Sequence, residues 1–200
     1  CLLLFLFLLP NVARAVGRVY AYTADGNYHD RDDIAASPMT LAIFSALGQA
    51  DKLVHIDYND HYWLTNNQQQ KDMSSVDSFN TAGTWGGFSS GISFDQQTNH
   101  AAAMAHLVSV INNATAVAPL TIICDETMQV VGEAFTSANP NRRPFVTLVS
   151  HSTCHESHQH HDRAGLPSGS QANHTPTHQA QFPTCTITRI QHSNAPHPAT

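Results

Sequence analysis

Between Val16 and Ser150 the chain alternates short extended runs with segments of helical period, and few architectures accommodate that alternation. Arg18 to Thr23 is an extended run rich in Val and Tyr. Ser37-Pro38 then opens a helix, with Ser as N-cap and Pro at the first helical position. Met39, Ile43 and Leu47 recur at helical spacing, and Gly48 is the natural stop. Lys52 to Tyr58 reads as a second strand. Met104, Leu107, Val108 and Ile111 follow the i, i+3, i+4, i+7 pattern of a second helix. Leu120 to Cys124 is a continuous apolar run of strand length, Met128, Val131 and Phe135 mark a third helix, and Phe145 to Ser150 is a fourth strand. Strands separated by helices imply crossover connections and a parallel sheet covered on both faces. The expected fold class is α/β, a Rossmann-like open parallel sheet flanked by helices.

The two ends differ from this middle. Cys1 to Pro10 is an apolar run followed by Ala13-Arg14-Ala15, a small-x-small cleavage pattern, and the run is too short to span a bilayer. Residues 1–15 therefore read as a signal peptide, with the mature chain starting near Val16 and secreted or periplasmic. From His151 to Thr200 the chain carries nine of its fourteen histidines and one aromatic residue, Phe182, with no apolar periodicity. Such a stretch buries too little surface to offset the entropy of ordering, so residues 151–200 are expected to form a disordered, low-complexity His-rich tail. A metal-binding tail, a neutral linker and a shifted reading frame all account for that composition. Without the signal, Cys124, Cys154 and Cys185 remain, an odd number with no C-x-x-C pair, and Cys124 reads as a small buried hydrophobe. The net charge of −6 and the lack of a basic stripe argue against nucleic acid as partner. No membrane span is expected in the mature chain.

The candidate chemistry lies just after the first strand, in Asp25-Gly26-Asn27-Tyr28-His29-Asp30-Arg31-Asp32-Asp33. Four carboxylates and an imidazole within nine residues repel one another unless a cation or protons neutralise them. Hard oxygen ligands grouped this way suit Ca²⁺ or Mg²⁺. Ligands of open α/β sheets also bind beyond the carboxyl ends of the strands. A solvated acidic loop is the plain alternative.

This loop resembles the N-terminal metal loop of the inosine–uridine nucleoside hydrolase superfamily, and more closely that of secreted nucleoside-hydrolase-like proteins, whose loop reads approximately Asp-Gly-Glu-x-Asp-Asp. Asp25-Gly26-Asn27-Tyr28-His29-Asp30 aligns without gaps, with His29 at the first acid of the pair; a second register puts Asp32-Asp33 there at the cost of three inserted residues. The resemblance covers about the first half of a family member and implies a calcium-dependent hydrolase of N-glycosidic bonds in ribonucleosides. It implies Asp25 as metal ligand and general base, Asp30 as second carboxylate ligand, Asp33 as a further candidate ligand, and the backbone carbonyl of Cys124 on the metal. It further implies substrate contacts from Asn59 after the second strand, with His61 a candidate for the same cleft. Two departures are plain: Asp125-Glu126 replaces a glycine-rich turn, and the family's C-terminal His and Asp have no counterpart. An exported, non-catalytic carbohydrate-binding or cell-wall-associated protein is therefore the competing class. A haloacid-dehalogenase-type phosphatase needs Asp-x-Asp after the first strand, and here Gly26-Asn27 follows Asp25.

Overall fold

A computed structural model of the chain describes residues 17–24, 31–58, 86–125, 129–150 and 186–189. These residues form an α/β layer structure. Its strands are β1 (Val19–Ala24), β2 (Leu53–Tyr58), β3 (Ser93–Asp95), β4 (Leu120–Asp125), β5 (Val146–Ser150) and β6 (Thr186–Arg189). Its helices are α1 (Arg31–Ala46), α2 (Gln96–Asn113) and α3 (Gln129–Ser137). The sheet order is β3-β2-β1-β4-β5-β6, and every neighbouring pair is parallel. The chain builds outward from β1 to β3, then crosses to the other side of β1 with β4. That is the doubly wound strand order, with its reversal at β1.

Parallel neighbours cannot be joined by tight turns, so each crossover lays a helix on a face of the sheet. The side-chain period of two splits β1 between those faces. Ala21 packs with Leu107 and Ile111 of α2, Val130, Val131, Ala134 and Phe135 of α3, and Leu120, Ile122 and Cys124 of β4. Tyr22 and Ala24 pack on the opposite face with Leu41 and Phe44 of α1 and with Leu53, Ile56 and Tyr58 of β2. Such burial on both sides makes the strands apolar almost throughout.

Three sequence expectations need correction. The first helix does not begin at Ser37-Pro38: α1 starts six residues earlier, at Arg31, and Pro38 lies inside it. Within that helix Pro38 withholds one N–H from the carbonyl four residues back. Met39, Ile43 and Leu47 are 59%, 49% and 68% exposed, whereas Ser37, Leu41 and Phe44 face the sheet. The helix carries two stripes at helical spacing, and the one over the sheet includes a serine. Finally, the tail expected to be mostly disordered contributes β6, whose Thr186 to Arg189 pair with Thr147 to Ser150. The rest of that tail and residues 1–15 lie outside the described residues. Gly48 does end α1, with φ +63°, and the Gln49 N–H donates to the Phe44 carbonyl at 2.8 Å, as in a Schellman turn. No helix among the described residues is long and apolar enough to cross a membrane.

The contrast between the buried and exposed stripes is measurable. Leu107→Ala removes a wholly buried side chain and should cost about 2–5 kcal/mol in urea unfolding. Ile43→Ala, on the exposed stripe, should stay within about 0.5 kcal/mol of the parent. Equal losses would show that α1 packs by its other face.

Candidate functional site

At the carboxyl edge of the sheet, one row of polar side chains crosses four strands on the face covered by α2 and α3. Thr23 of β1 is in register with Asp57 of β2 and with Cys124 of β4, and Cys124 is in register with Ser150 of β5. All four are buried. One row lower, Ala21, Ile122 and Leu148 are apolar, and His55 is the exception.

His55 and Asp57 anchor a hydrogen-bonded network. The His55 Nε2 lies 3.0 Å from Asp57 Oδ2, and its Nδ1 lies 2.9 Å from the Nδ1 of His106 on α2. With neutral rings one assignment fits: Nε2–H of His55 donates to the carboxylate, and its Nδ1 accepts from Nδ1–H of His106. The rings are also packed together. His55 stacks on Phe94 and on His106 with centroids 5.3 and 5.2 Å away, and Phe94 meets His106 at 4.9 Å. Gln96, the first residue of α2, donates Nε2–H to the same Asp57 Oδ2 at 2.9 Å. Its Oε1 accepts from Nδ1–H of His100 at 2.7 Å, and His100 Nε2 lies 3.6 Å from Glu133 of α3. Asp57 Oδ1, also buried, has no hydrogen-bond partner among the described residues.

The opposite face of the same edge carries a second carboxylate. Tyr22 donates its phenolic O–H to Asp125 Oδ2 at 2.9 Å, and Asp125 is in register with Ala24, the last residue of β1. Burial first, and then the negative charge of Asp125, push the Tyr22 phenol well above its ordinary value. It therefore stays a neutral donor.

Charge is distributed unevenly between the two edges. Among the described side chains Arg18, Lys52, Arg142 and Arg143 lie just before β1, β2 and β5, at the amino edge. Asp57, Asp95 and Asp125 lie at or next to the last residues of β2, β3 and β4. Arg18 donates to Thr121 at 2.6 Å, and Lys52 pairs with Asp51 at 3.3 Å.

Of the residues singled out from sequence, Cys124 is described: its thiol is buried in the core between the sheet, α2 and α3. Asp25, Asp30, Asn59 and His61 lie outside the described residues, as does the side chain of Asp33. No group of three or more metal-ligating side chains occurs among the described residues. Sequence reasoning passed over His55, Asp57, Gln96 and His106. The available signal was two polar residues at i and i+2 inside an otherwise apolar strand, Leu53-Val54-His55-Ile56-Asp57-Tyr58.

The network makes stability depend on pH. Burial, and then the proximity of His55, hold His106 below its ordinary 6.5. The unfolded chain binds a proton there more readily than the folded one, so this contribution is present above 6.5 and is lost as pH falls through the lower folded value. His106→Gln should therefore flatten the fall in unfolding free energy on going from about pH 7 to about pH 5. Parallel curves for the two proteins would rule out His106 as a source of that slope.

No family model matches the chain, and no solved structure does. A curated relative, the uncharacterized protein P22 of Formosa agariphila, is 27% identical over 148 residues, covering 71% of this chain and 54% of that protein. The chain thus spans about half the length of the curated relative it matches.

Proposed function

We propose that this chain is a calcium-dependent hydrolase-like protein of the ribonucleoside N-glycosidic type. One topological observation carries the reading. The segment holding Asp25 and Asp30 leaves the sheet directly after Ala24, at the strand where the order reverses, and Ala24 is in register with Asp125. Crevices at such reversals are where open α/β sheets take their ligands.

The donor set fits a hard cation: carboxylates of Asp25 and Asp30, with Asp33 as a further candidate, and the Cys124 carbonyl. Bound calcium would supply a polarised water and a hold on ribose hydroxyls. In this scheme Asp25 takes the proton of the attacking water as general base. Asn59 and His61, which follow β2 in the sequence, are the candidate substrate contacts. Tyr22, neutral and bonded to Asp125, fixes that carboxylate at the rim of the crevice without adding charge. The sequence offers no counterpart for the family's C-terminal His and Asp, so the 200-residue chain is expected to bind calcium but to hydrolyse nucleosides poorly or not at all.

Calcium bound to the folded state alone stabilises it by mass action. Added Ca²⁺ should raise the melting temperature and EDTA should reverse the rise. Asp25→Asn should abolish the response, and Asp32→Asn should reduce it less. A full calcium shift in Asp25→Asn would sink the ligand assignment. Calorimetry with inosine should give saturable, calcium-dependent binding, and its absence would remove the nucleoside reading. Binding without release of hypoxanthine would place the chain with non-catalytic binders.

A further inference from the structure

We propose that Asp57 is a ligand-binding carboxylate, its Oδ1 accepting a hydroxyl of the ligand's sugar. The proposal rests on the ribosyl reading above and names a contact within it. Asp57 is the penultimate residue of β2, in register with Thr23 and one strand from the reversal between β1 and β4. It is wholly buried, and its two oxygens are treated unequally. Oδ2 takes two N–H donors, from His55 at 3.0 Å and Gln96 at 2.9 Å, while Oδ1 takes none among the described residues.

The described polar neighbours Thr23, His55 and Gln96 are committed elsewhere. The Thr23 hydroxyl donates to the Ile123 carbonyl at 3.3 Å. The remaining ring nitrogen of His55 faces His106, and the remaining amide atom of Gln96 faces His100. Buried polar atoms are seldom left unsatisfied, and a charged one costs more than a neutral one. Meanwhile the carboxylate cannot turn to find a partner. His55 is stacked on Phe94 and His106, and Gln96 is tied to His100, so both donors on Oδ2 are themselves fixed. A rigid carboxylate with one spare acceptor at the ligand edge is arranged for a donor that arrives with the ligand.

An ionised carboxylate only accepts, so its partner is an O–H or N–H group or a cation. A sugar hydroxyl needs one acceptor, which is what Oδ1 offers. Sugar hydroxyls are also the donors that a ribosyl ligand brings in number.

The test uses the full 200-residue chain with calcium, titrated with inosine, 2′-deoxyinosine and 3′-deoxyinosine. The parent should bind one deoxy analogue about 10- to 100-fold more weakly than inosine, the value of a hydrogen bond to a charged group. Asp57→Asn can keep a carbonyl oxygen on His55 and Gln96 while an amide nitrogen replaces Oδ1. It should lose about the same factor for inosine, and its preference for inosine over that analogue should shrink by that factor. Unchanged inosine affinity in Asp57→Asn, or losses that add for both analogues, would overturn the proposal while leaving the ribosyl reading intact. Failure of the parent to bind inosine overturns both. Should Asp57→Asn not fold, crystals of the parent with and without inosine decide. A ligand hydroxyl on Oδ1 supports the contact, and a water there in both structures refutes it.

Discussion

Parallel pairing on both sides of β1 is the constraint from which the rest of the structure follows. β1 pairs with β2 over Tyr20 to Thr23 and with β4 over Val19 to Ala24. Because neither neighbour is antiparallel, the connection on each side must pass over a face of the sheet. The path from β1 to β2 runs through α1 over the Tyr22 face, and those from β3 to β4 and β4 to β5 run through α2 and α3 over the Ala21 face. Chains leaving β1 and β4 therefore diverge to opposite sides. The gap between their carboxyl ends is a product of connectivity, and any ligand chemistry at this edge depends on it.

That architecture was legible because burial on both faces leaves a simple signature. β1, β2, β4 and β5 appear in the sequence as apolar or aromatic runs within a residue of their observed ends. β3 and β6 were invisible for the converse reason. They span three and four residues and carry too few positions to establish a period. α1 was misread by a different route. Two stripes at helical spacing compete in Ser37 to Leu47, and hydrophobicity favours Met39, Ile43 and Leu47. The stripe over the sheet instead pairs Leu41 and Phe44 with Ser37, whose small hydroxyl sits above the buried Tyr22. Apolar content alone could not decide between them.

The polar network escaped the sequence because its parts are far apart. His55 and Asp57 are two residues apart, but their partners Gln96 and His106 lie 39 and 51 residues further on, and Tyr22 is 103 residues from Asp125. A histidine and an aspartate in one strand suggest an exposed edge. In a strand buried on both faces they instead demand donors and acceptors from the covering helix. α2 meets that demand with Gln96 in its first turn and His106 near its middle, on the side that also presents Leu107 and Ile111 to the core. The aromatic face of Phe94 completes the enclosure.

Both faces of the edge hold a carboxylate by side-chain hydrogen bonds: imidazole and amide for Asp57, a phenol for Asp125. A neutral phenol orients a negative charge but does not cancel it. The upward displacement of Tyr22 registers that remaining field, since Asp125 is its second cause after burial. Helix N-termini offset part of it. α2 opens at this edge, where Thr98 donates to Asp95 at 2.9 Å, and α1 and α3 begin after the carboxyl ends of β1 and β4. Each such terminus is equivalent to about half a positive charge and acts only over its first turn. Three of them offset only part of the charge of Asp57, Asp95 and Asp125. Of the basic side chains described, Arg18, Lys52, Arg142 and Arg143 lie at the other edge. Among the described side chains the excess of carboxylates therefore falls on the edge where open α/β sheets take their ligands.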